Sequence, residues 1–501
     1  MSKIKKKRIF RININDLILF KILYKKMKKI KSIYLTILLL FILLIISCHP
    51  EREYDRYSLL KFSSDSVFID TSFATVTTIT RIIKVYNTSS KPILIDKVYL
   101  SNGSNSMFRF NIDGEPGPIV IDLEIDAKDS LFLFINATID PNDANTPFII
   151  EDSIIFIVNG KNQKIKLAAL GQNAYFHTPD HPPTQYLPAY SLVSGVWEND
   201  KPHVIYGIAV VDEDCTLVIP AGTKVYMHRN AMLWVYKGGS LKIKGNPFEP
   251  VLITSDRLDP FYRDQAGGWD RIWLSALSKD NEIDWAIIQN GNVGIHADTV
   301  ANANPTLKIN NTIIRNMSTA CLFAQGAKIV ATNCLFANAK YYSALLSIGG
   351  YYVFKHCNFV NFWNTSHRSS SLLALNNYYK DINGNIQIRP ISVYMGNCIV
   401  YGDQEEEILI DKHPGIDNFF LTLDHCLLRT KYNLGDSIFI NCIRNKDPEF
   451  RNHSIGDFRL QNNSPCIDAG KINISWGINN DLSGGPRIAN GVPDIGAYEL
   501  Y

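Results

Sequence analysis

Between Asp284 and Arg429 the apolar and polar positions recur in short, near-identical units. Asp284-Trp285-Ala286-Ile287-Ile288-Gln289-Asn290 is followed by Asn311-Thr312-Ile313-Ile314-Arg315-Asn316, Asn333-Cys334-Leu335-Phe336-Ala337-Asn338 and His356-Cys357-Asn358-Phe359-Val360-Asn361. Weaker copies begin at Asn397-Cys398 and His425-Cys426. The closing asparagines Asn290, Asn316, Asn338 and Asn361 lie 26, 22 and 23 positions apart. A period in the twenties built on a short β-rich unit predicts a solenoid, because each unit buries its apolar face only by stacking on the next. A Leu-x-x-Leu-x-Leu pattern is missing, and the units are too short and too β-branched for helical repeats. What remains is a parallel β-helix. The closing Asn suits a turn, since its short amide tolerates left-handed backbone and can bond to the coil above. Cys334, Cys357, Cys398 and Cys426 share one slot and read as a column of small buried side chains.

Upstream, residues 57–172 alternate without a twenties-residue period. Strands are predicted at 80–86, 93–100, 130–135, 153–158 and 164–167, with Asn159-Gly160 as a hairpin turn between the last two. Short strands at this spacing predict an antiparallel β-sandwich. Residues 173–190 are proline-rich and read as a solvated linker. His177 and His181 stand four apart, but Pro179, Pro182 and Pro183 exclude the helix that could turn that spacing into a metal site. The β-helix is expected over 191–501, opening at Gly195-Val196-Trp197, with strands separated by glycine turns at 216–225 and 238–245.

The formal net charge of +3 misleads, because residues 1–47 hold 12 Lys and Arg against one acidic residue. The remainder carries 39 basic and 47 acidic residues, a net −8, which gives no general electrostatic reason to bind nucleic acid. The basic start is a targeting segment. Lys25 to Lys31 precede an apolar run of 14 residues, Ile33 to Ile46, short for a membrane span and of secretory length. The run ends Ile45-Ile46-Ser47-Cys48, which looks like a lipobox with Cys48 as the acylated residue. Residues 1–47 are therefore read as a lipoprotein signal peptide with a possible true start at Met27, and 48–56 as a tether. His49 after the cysteine, by resemblance to Gram-negative lipoproteins, implies an outer-membrane anchor facing the periplasm or the surface.

The repeats, together with Thr216-Leu217-Val218-Ile219-Pro220-Ala221-Gly222-Thr223 and Gly238-Gly239-Ser240-Leu241, resemble the right-handed β-helix proteins of the pectin-lyase-like superfamily. The tail resembles their C-terminal signature in Ser464-Pro465-Cys466-Ile467-Asp468-Ala469-Gly470, Gly485-Pro486-Arg487 and Asp494-Ile495-Gly496-Ala497-Tyr498-Glu499. It is read as the far cap of the solenoid, with Asp468 and Asp494 taking backbone or Arg487 hydrogen bonds. Val85-Tyr86-Asn87-Thr88, Asp129-Ser130-Leu131 and Ala169-Leu170-Gly171 resemble the Hydin type of immunoglobulin-like domain, which implies a spacer. The whole is an all-β chain, an immunoglobulin-like sandwich followed by a right-handed parallel β-helix.

The superfamily hosts polysaccharide lyases and glycoside hydrolases, but a fold is not an activity. A lyase needs a base beside a Ca²⁺ held by carboxylates, and a hydrolase needs two carboxylates facing one bond. On a solenoid such residues recur in register, and along 284–429 only Asp284 and Asp424 share a slot. No catalytic residue, metal or cofactor is assigned on that basis. Two irregular stretches are the expected ligand surfaces. The loop 256–271 supplies Tyr262, Arg263 and Trp269; the long gap between Asn361 and Asn397 supplies Trp363, Tyr378 and Tyr379. Aromatic rings with polar groups around them suit sugar rings. The expectation is a monomeric, membrane-anchored surface scaffold that binds carbohydrate or another macromolecule without cleaving it; the alternative is a lyase or hydrolase. Eight cysteines remain besides Cys48. In-register cysteines would sit about 5 Å apart, within bridging range, yet the slot reads as mostly unbridged thiols, and no Cys/His spacing fits zinc.

Overall fold

The computed structural model describes residues 18, 21–29, 34, 52–73, 77–140, 148–185, 187–259, 261–299, 305–414 and 418–501. Cys48 and its lipobox lie outside the described residues, among which no helix is long and apolar enough to cross a membrane.

The N-terminal unit is a sandwich of two five-stranded sheets. One runs in the order Lys61–Phe62, Arg81–Tyr86, Ser130–Ala137, Phe108–Ile112, Glu115–Pro116; the other Ser66–Phe73, Lys161–Gln172, Phe148–Val158, Ile93–Leu100, Ile119–Ile125. Pairing is antiparallel except where Ser66–Phe73 runs parallel to Lys161–Gln172. Alternation sends Ile83 and Val85 inward while Ile82 and Lys84 face water, as a two-residue period demands. Asn159 and Gly160 both have positive φ, 52° and 69°, which is the two-residue hairpin geometry their dipeptide predicts.

From Tyr175 onward the chain winds into three parallel sheets of eleven, nine and ten strands. We call them first, second and third, after their order within each coil. A typical coil is Leu335–Ala339, Tyr342–Ser347, Gly350–Lys355; the next begins at Asn358–Asn361. Equivalent residues lie directly above one another, so Ile219, Ile243, Ile283, Ile309, Ala331 and Phe354 form one inward stack in the third sheet. Phe359 fills the centre against Phe336, ring centroids 4.9 Å apart, and against Phe354 at 5.0 Å.

Two corners explain the repeated polar residues. Asn290, Asn316 and Asn338 have φ of 68°, 57° and 55° where the first sheet turns into the second. Asn316 donates its amide to Asn290 Oδ1 at 2.7 Å. Asn361 is the exception: it ends a strand, and its amide donates to Ala339 O at 2.7 Å. At the other corner Asn311, Asn333, His356, Asn397, His425 and Asn441 all have φ between 46° and 53°, each one residue before Thr312, Cys334, Cys357, Cys398, Cys426 or Cys442. The cysteines then point inward as free thiols.

The stretch 173–190 is not a solvated linker. Tyr175–His177 and Tyr190–Leu192 are strands of the first coil, paired parallel with His203–Ile205 and Ile208–Val211. Trp197 stacks on both His177 and His203, ring centroids 4.5 and 4.2 Å away, and His177 Nε2 is 2.9 Å from His203 Nδ1. Burial drives His177 down to about 4. An unfolded histidine titrates near 6.5, so the stability gained by keeping His177 neutral is complete above that pH and is lost as pH falls through about 4. Acid is therefore expected to loosen the first coil, read as hydrogen exchange at Phe176 and Ser191; protection there that is the same at pH 7 and pH 4 would contradict this.

The tail also departs from expectation. It runs along the flank of the solenoid instead of closing its end. Phe458, Leu460, Cys466, Ile495, Ala497 and Tyr498 pack on the outward side chains Leu335, Ala337, Val360, Ile399, Tyr401 and Leu427 of the first sheet. That outer face is apolar over four coils and would otherwise be wetted. Successive corner residues hold the strap. Asn480 O takes the Asn333 amide, Gly496 O and Ser475 Oγ face His356, and Lys471 N donates to Asn397 Oδ1. Asp494 accepts the backbone N–H groups of Asp468 and Leu500, the structural role its position suggested.

Candidate functional site

The loop 256–271 leaves the first sheet after Val251–Ser255 and rejoins the second at Arg271–Leu274. Its first residue makes a short polar contact. Asp256 Oδ2 lies 2.6 Å from His228 Nδ1, one coil earlier at the same corner. Burial pushes the Asp256 carboxyl above the usual carboxylate range, opposed by the His228 hydrogen bond and by Arg257. Tyr206, a further coil back, packs on His228 with centroids 4.5 Å apart. Its hydroxyl has no partner, and burial, then the Asp256 charge, pushes it up to about 12. A histidine oriented by a buried carboxylate is a competent proton acceptor.

Farther along, Arg257 lies over the Tyr262 ring at 3.8 Å and donates Nε to Asp259 at 3.2 Å. Among the described residues Arg263 pairs only with its neighbour Asp264, at 3.3 Å, in the open. The asparagine corner fastens this loop: Asn290 donates to Arg263 O at 2.6 Å and Asn316 to Asp264 O at 2.7 Å. Trp269 is not available to a ligand. It is fully buried, with Nε1 donating to Gln289 O at 2.9 Å, so it belongs to the solenoid core. Its ring also faces Gly291, where a Cβ would come within 2.6 Å.

The second irregular stretch divides into two. Residues 362–372 fold back on themselves at the first corner, where Trp363 Nε1 donates to Ser366 Oγ at 2.9 Å and the buried Arg368 grips Glu407. Tyr378–Lys380 and Ile386–Ile388 form a hairpin at the next corner, between the second and third sheets. Tyr378 is committed to the scaffold, its hydroxyl donating to Asp411 at 3.0 Å and its ring set edge-on to His413. Tyr379 faces the Arg389 guanidinium at 6.0 Å. The six expected ligand residues therefore occupy three separate places and do not converge.

Beside the hairpin lies a groove of about 580 Å³, lined by Lys328, Tyr351, Arg389, Ser392 and Phe420 among others. Tyr351, Ser392 and Phe420 are in register on successive strands of the third sheet, all pointing outward. Gly350 permits the close approach that forms its floor, since a Cβ there would fall 2.5 Å from Ala327 O. None of these lining residues was singled out from the sequence. Tyr351, Ser392 and Phe420 lie in regular strands, and only register brings Tyr351 and Phe420 to one row.

Register also assembles an outward ladder on the second sheet, Trp234, Trp273, His296 and Phe323. Neighbouring rings are within 14° of parallel, at 5.1, 5.8 and 4.5 Å. The inner rings, Trp273 and His296, are stacked on both sides. Trp273 Nε1 donates to Asp298 at 2.8 Å, and His296 lies between Arg271 and Gln325. The ladder braces the sheet.

No protein-family model and no curated protein sequence matches the chain. Among solved structures, it is similar to the catalytic unit of a thermostable GH87 alpha-1,3-glucanase from Streptomyces thermodiastaticus, with 8% identity and a TM-score of 0.19, over 69% of this chain and 79% of that one. A family 123 glycoside hydrolase from Clostridium perfringens matches with 13% identity and a TM-score of 0.17, over 23% of this chain and only 30% of its own length. The ASH/PapD-like domain of human CEP192 matches with 9% identity and a TM-score of 0.17, over 25% of this chain and 92% of that domain. Likenesses this weak carry no functional meaning, so strand order and register alone define the chain as an immunoglobulin-like sandwich followed by a parallel β-helix.

Proposed function

We propose that this chain is a lipid-anchored protein of the Gram-negative outer membrane whose β-helix binds a polysaccharide without cleaving it. The observation that supports this reading is the pair of rings in the groove beside the hairpin. Tyr351 is 46% and Phe420 58% exposed. Ser392 lies between them, so the rings stand two strand spacings apart, about 9.5 Å. That leaves room for a sugar unit against each ring and a hydroxyl partner between them. Lys328 and Arg389 border the same groove. Among the described residues Arg389 pairs with no carboxylate, so its charge is open to an acidic glycan. The anchor rests on the lipobox at Cys48, and the sandwich serves as spacer.

The test is retention of the full-length protein on immobilised acidic and neutral polysaccharides. Tyr351→Ala and Phe420→Ala are each expected to weaken binding about tenfold, about 1.4 kcal/mol. Arg389→Gln is expected to weaken acidic glycans alone, with reduced salt dependence. Unchanged binding in the Tyr351→Ala/Phe420→Ala double variant overturns the groove assignment. The second reading, a polysaccharide lyase or glycoside hydrolase, draws on the His228–Asp256 pair under the loop. Release of unsaturated or reducing ends, abolished by His228→Ala, would replace the first reading with it.

A further inference from the structure

Five successive coils place a cysteine at one corner: Cys334, Cys357, Cys398, Cys426 and Cys442. Each follows a residue of positive φ and points its sulfur back at the carbonyl two residues earlier. Those contacts are 3.2, 3.3 and 3.2 Å for Cys334, Cys357 and Cys398, and lengthen to 3.6 Å at both Cys426 and Cys442. The Cys357 backbone N–H also donates to Cys398 Sγ at 3.4 Å, so neighbouring coils of the column are in direct contact. The first four cysteines are fully buried and packed in the core. Cys442 is different: it is only partly buried and stands on the last, shortest coil.

We propose that Cys442 and Cys426 are a disulfide-forming pair that staples the open end of the solenoid, Cys442 being the entry thiol and Cys426 the resolving one. Leu427 pairs with Ile443 and Leu428 with Arg444, so the two cysteines are themselves in register on adjacent coils. Their preceding residues, His425 and Asn441, have φ of 53° and 48°, so the two Cα–Cβ bonds run nearly parallel. Adjacent strands stand about 4.8 Å apart, inside the Cα range of a disulfide, and a small approach of the Cβ atoms completes the geometry. The terminal strand, Ile443–Arg444, is two residues long, and the segment from Cys442 to Arg444 is flanked by the exposed Asn441 and Asn445, so it can supply that movement. Deeper pairs cannot, because their coils are packed on every side and closed to water.

The oxidant is a small disulfide. The Cys442 thiolate attacks one sulfur of glutathione disulfide, breaking its S–S bond and releasing one glutathione thiolate, which takes up a proton. Cys426, as thiolate, then attacks Cys442 Sγ in the mixed disulfide and releases the second glutathione. Two protein thiols are oxidised, one glutathione disulfide is reduced to two thiols, and two protons pass from protein to glutathione. The pair stands independently of the glycan reading.

Incubating the full-length protein with glutathione disulfide, then alkylating and mapping peptides, tests this. The expected product has lost about 2 Da, with a 426–442 linkage, and its C-terminal coil unfolds at a higher temperature. In the untreated protein, brief alkylation is expected to label Cys442 ahead of Cys426, Cys398, Cys357 and Cys334. Cys426→Ala is expected to stop at a mixed disulfide on Cys442. A wild-type protein that stops at that mixed disulfide, a linkage within the deeper column, or Cys442 labelled no faster than Cys334 overturns the proposal.

Discussion

Arg368→Ala is expected to destabilise the β-helix by about 3–5 kcal/mol, the range for removing one partner of a buried ion pair. Both side chains are wholly inaccessible. Arg368 donates to Glu407 through two bonds, 2.8 and 2.6 Å, to Ser370 O at 2.8 Å and to Asn361 O at 3.3 Å, and it also contacts Asp403. Glu407 in turn accepts the backbone N–H groups of Leu372 and Gln404. The guanidinium thus joins the strand end at Asn361, the 362–372 segment and the next coil. Burial raises the Glu407 carboxyl and Arg368 opposes it, so without Arg368 the carboxylate is left without its counter-charge. The cost arises from the stranded charge more than from the lost attraction. Arg368→Met with Glu407→Leu is accordingly expected to recover most of the loss in urea unfolding. A single variant within about 1 kcal/mol of wild type would put the pair among weak surface ion pairs and contradict the argument.

The repeat plan was legible because a solenoid writes its period into the chain. Asn290, Asn316 and Asn338 take left-handed backbone, and Cys334, Cys357, Cys398 and Cys426 share a buried slot, as their spacing implies. Asn361 broke the pattern for a local reason: the insertion that follows it needs a strand end held by a side-chain amide. The groove was hidden, because Tyr351 and Phe420 are 69 positions apart and only two intervening strand pairings align them. Trp269 misled for the opposite reason. It sits among polar loop residues in sequence, yet its ring is drawn into the core. The Pro-rich first coil misled as well, since proline is admissible between strands even where it forbids a helix. The tail's composition identified a closing element but not which surface it closes. Only the apolar outward row Leu335, Val360, Ile399, Leu427 reveals that.

That strap should come away from the solenoid in a pH-dependent manner, and Arg487 is the residue that sets the dependence. It is fully buried, donating to Gly496 O at 2.7 Å and to Glu499 at 3.0 Å, with Asn333 Oδ1 at 3.5 Å. Glu499 is raised from 4.5 to about 7, by burial first, with Asp494 adding to the rise and Arg487 opposing it. The folded strap therefore holds the proton more tightly than the unfolded chain. Its contribution is complete below pH 4.5 and is lost as pH rises through about 7, worth about 3 kcal/mol over that interval. Asp494, also raised by burial, acts with the same sign. Arg487→Met removes the one cation that opposes these shifts, so Glu499 must either stay protonated or be buried as an unpaired charge. The loss is expected to be about 3–5 kcal/mol at pH 8 and clearly smaller at pH 5, where protonation relieves it. Hydrogen exchange at Ile495 and Ala497, compared with Ile288 in the core, isolates release of the strap from global unfolding. An Arg487→Met loss that is the same at pH 5 and pH 8 would show that the guanidinium acts by packing alone, and that Glu499 is not the group to which the strap's stability is linked.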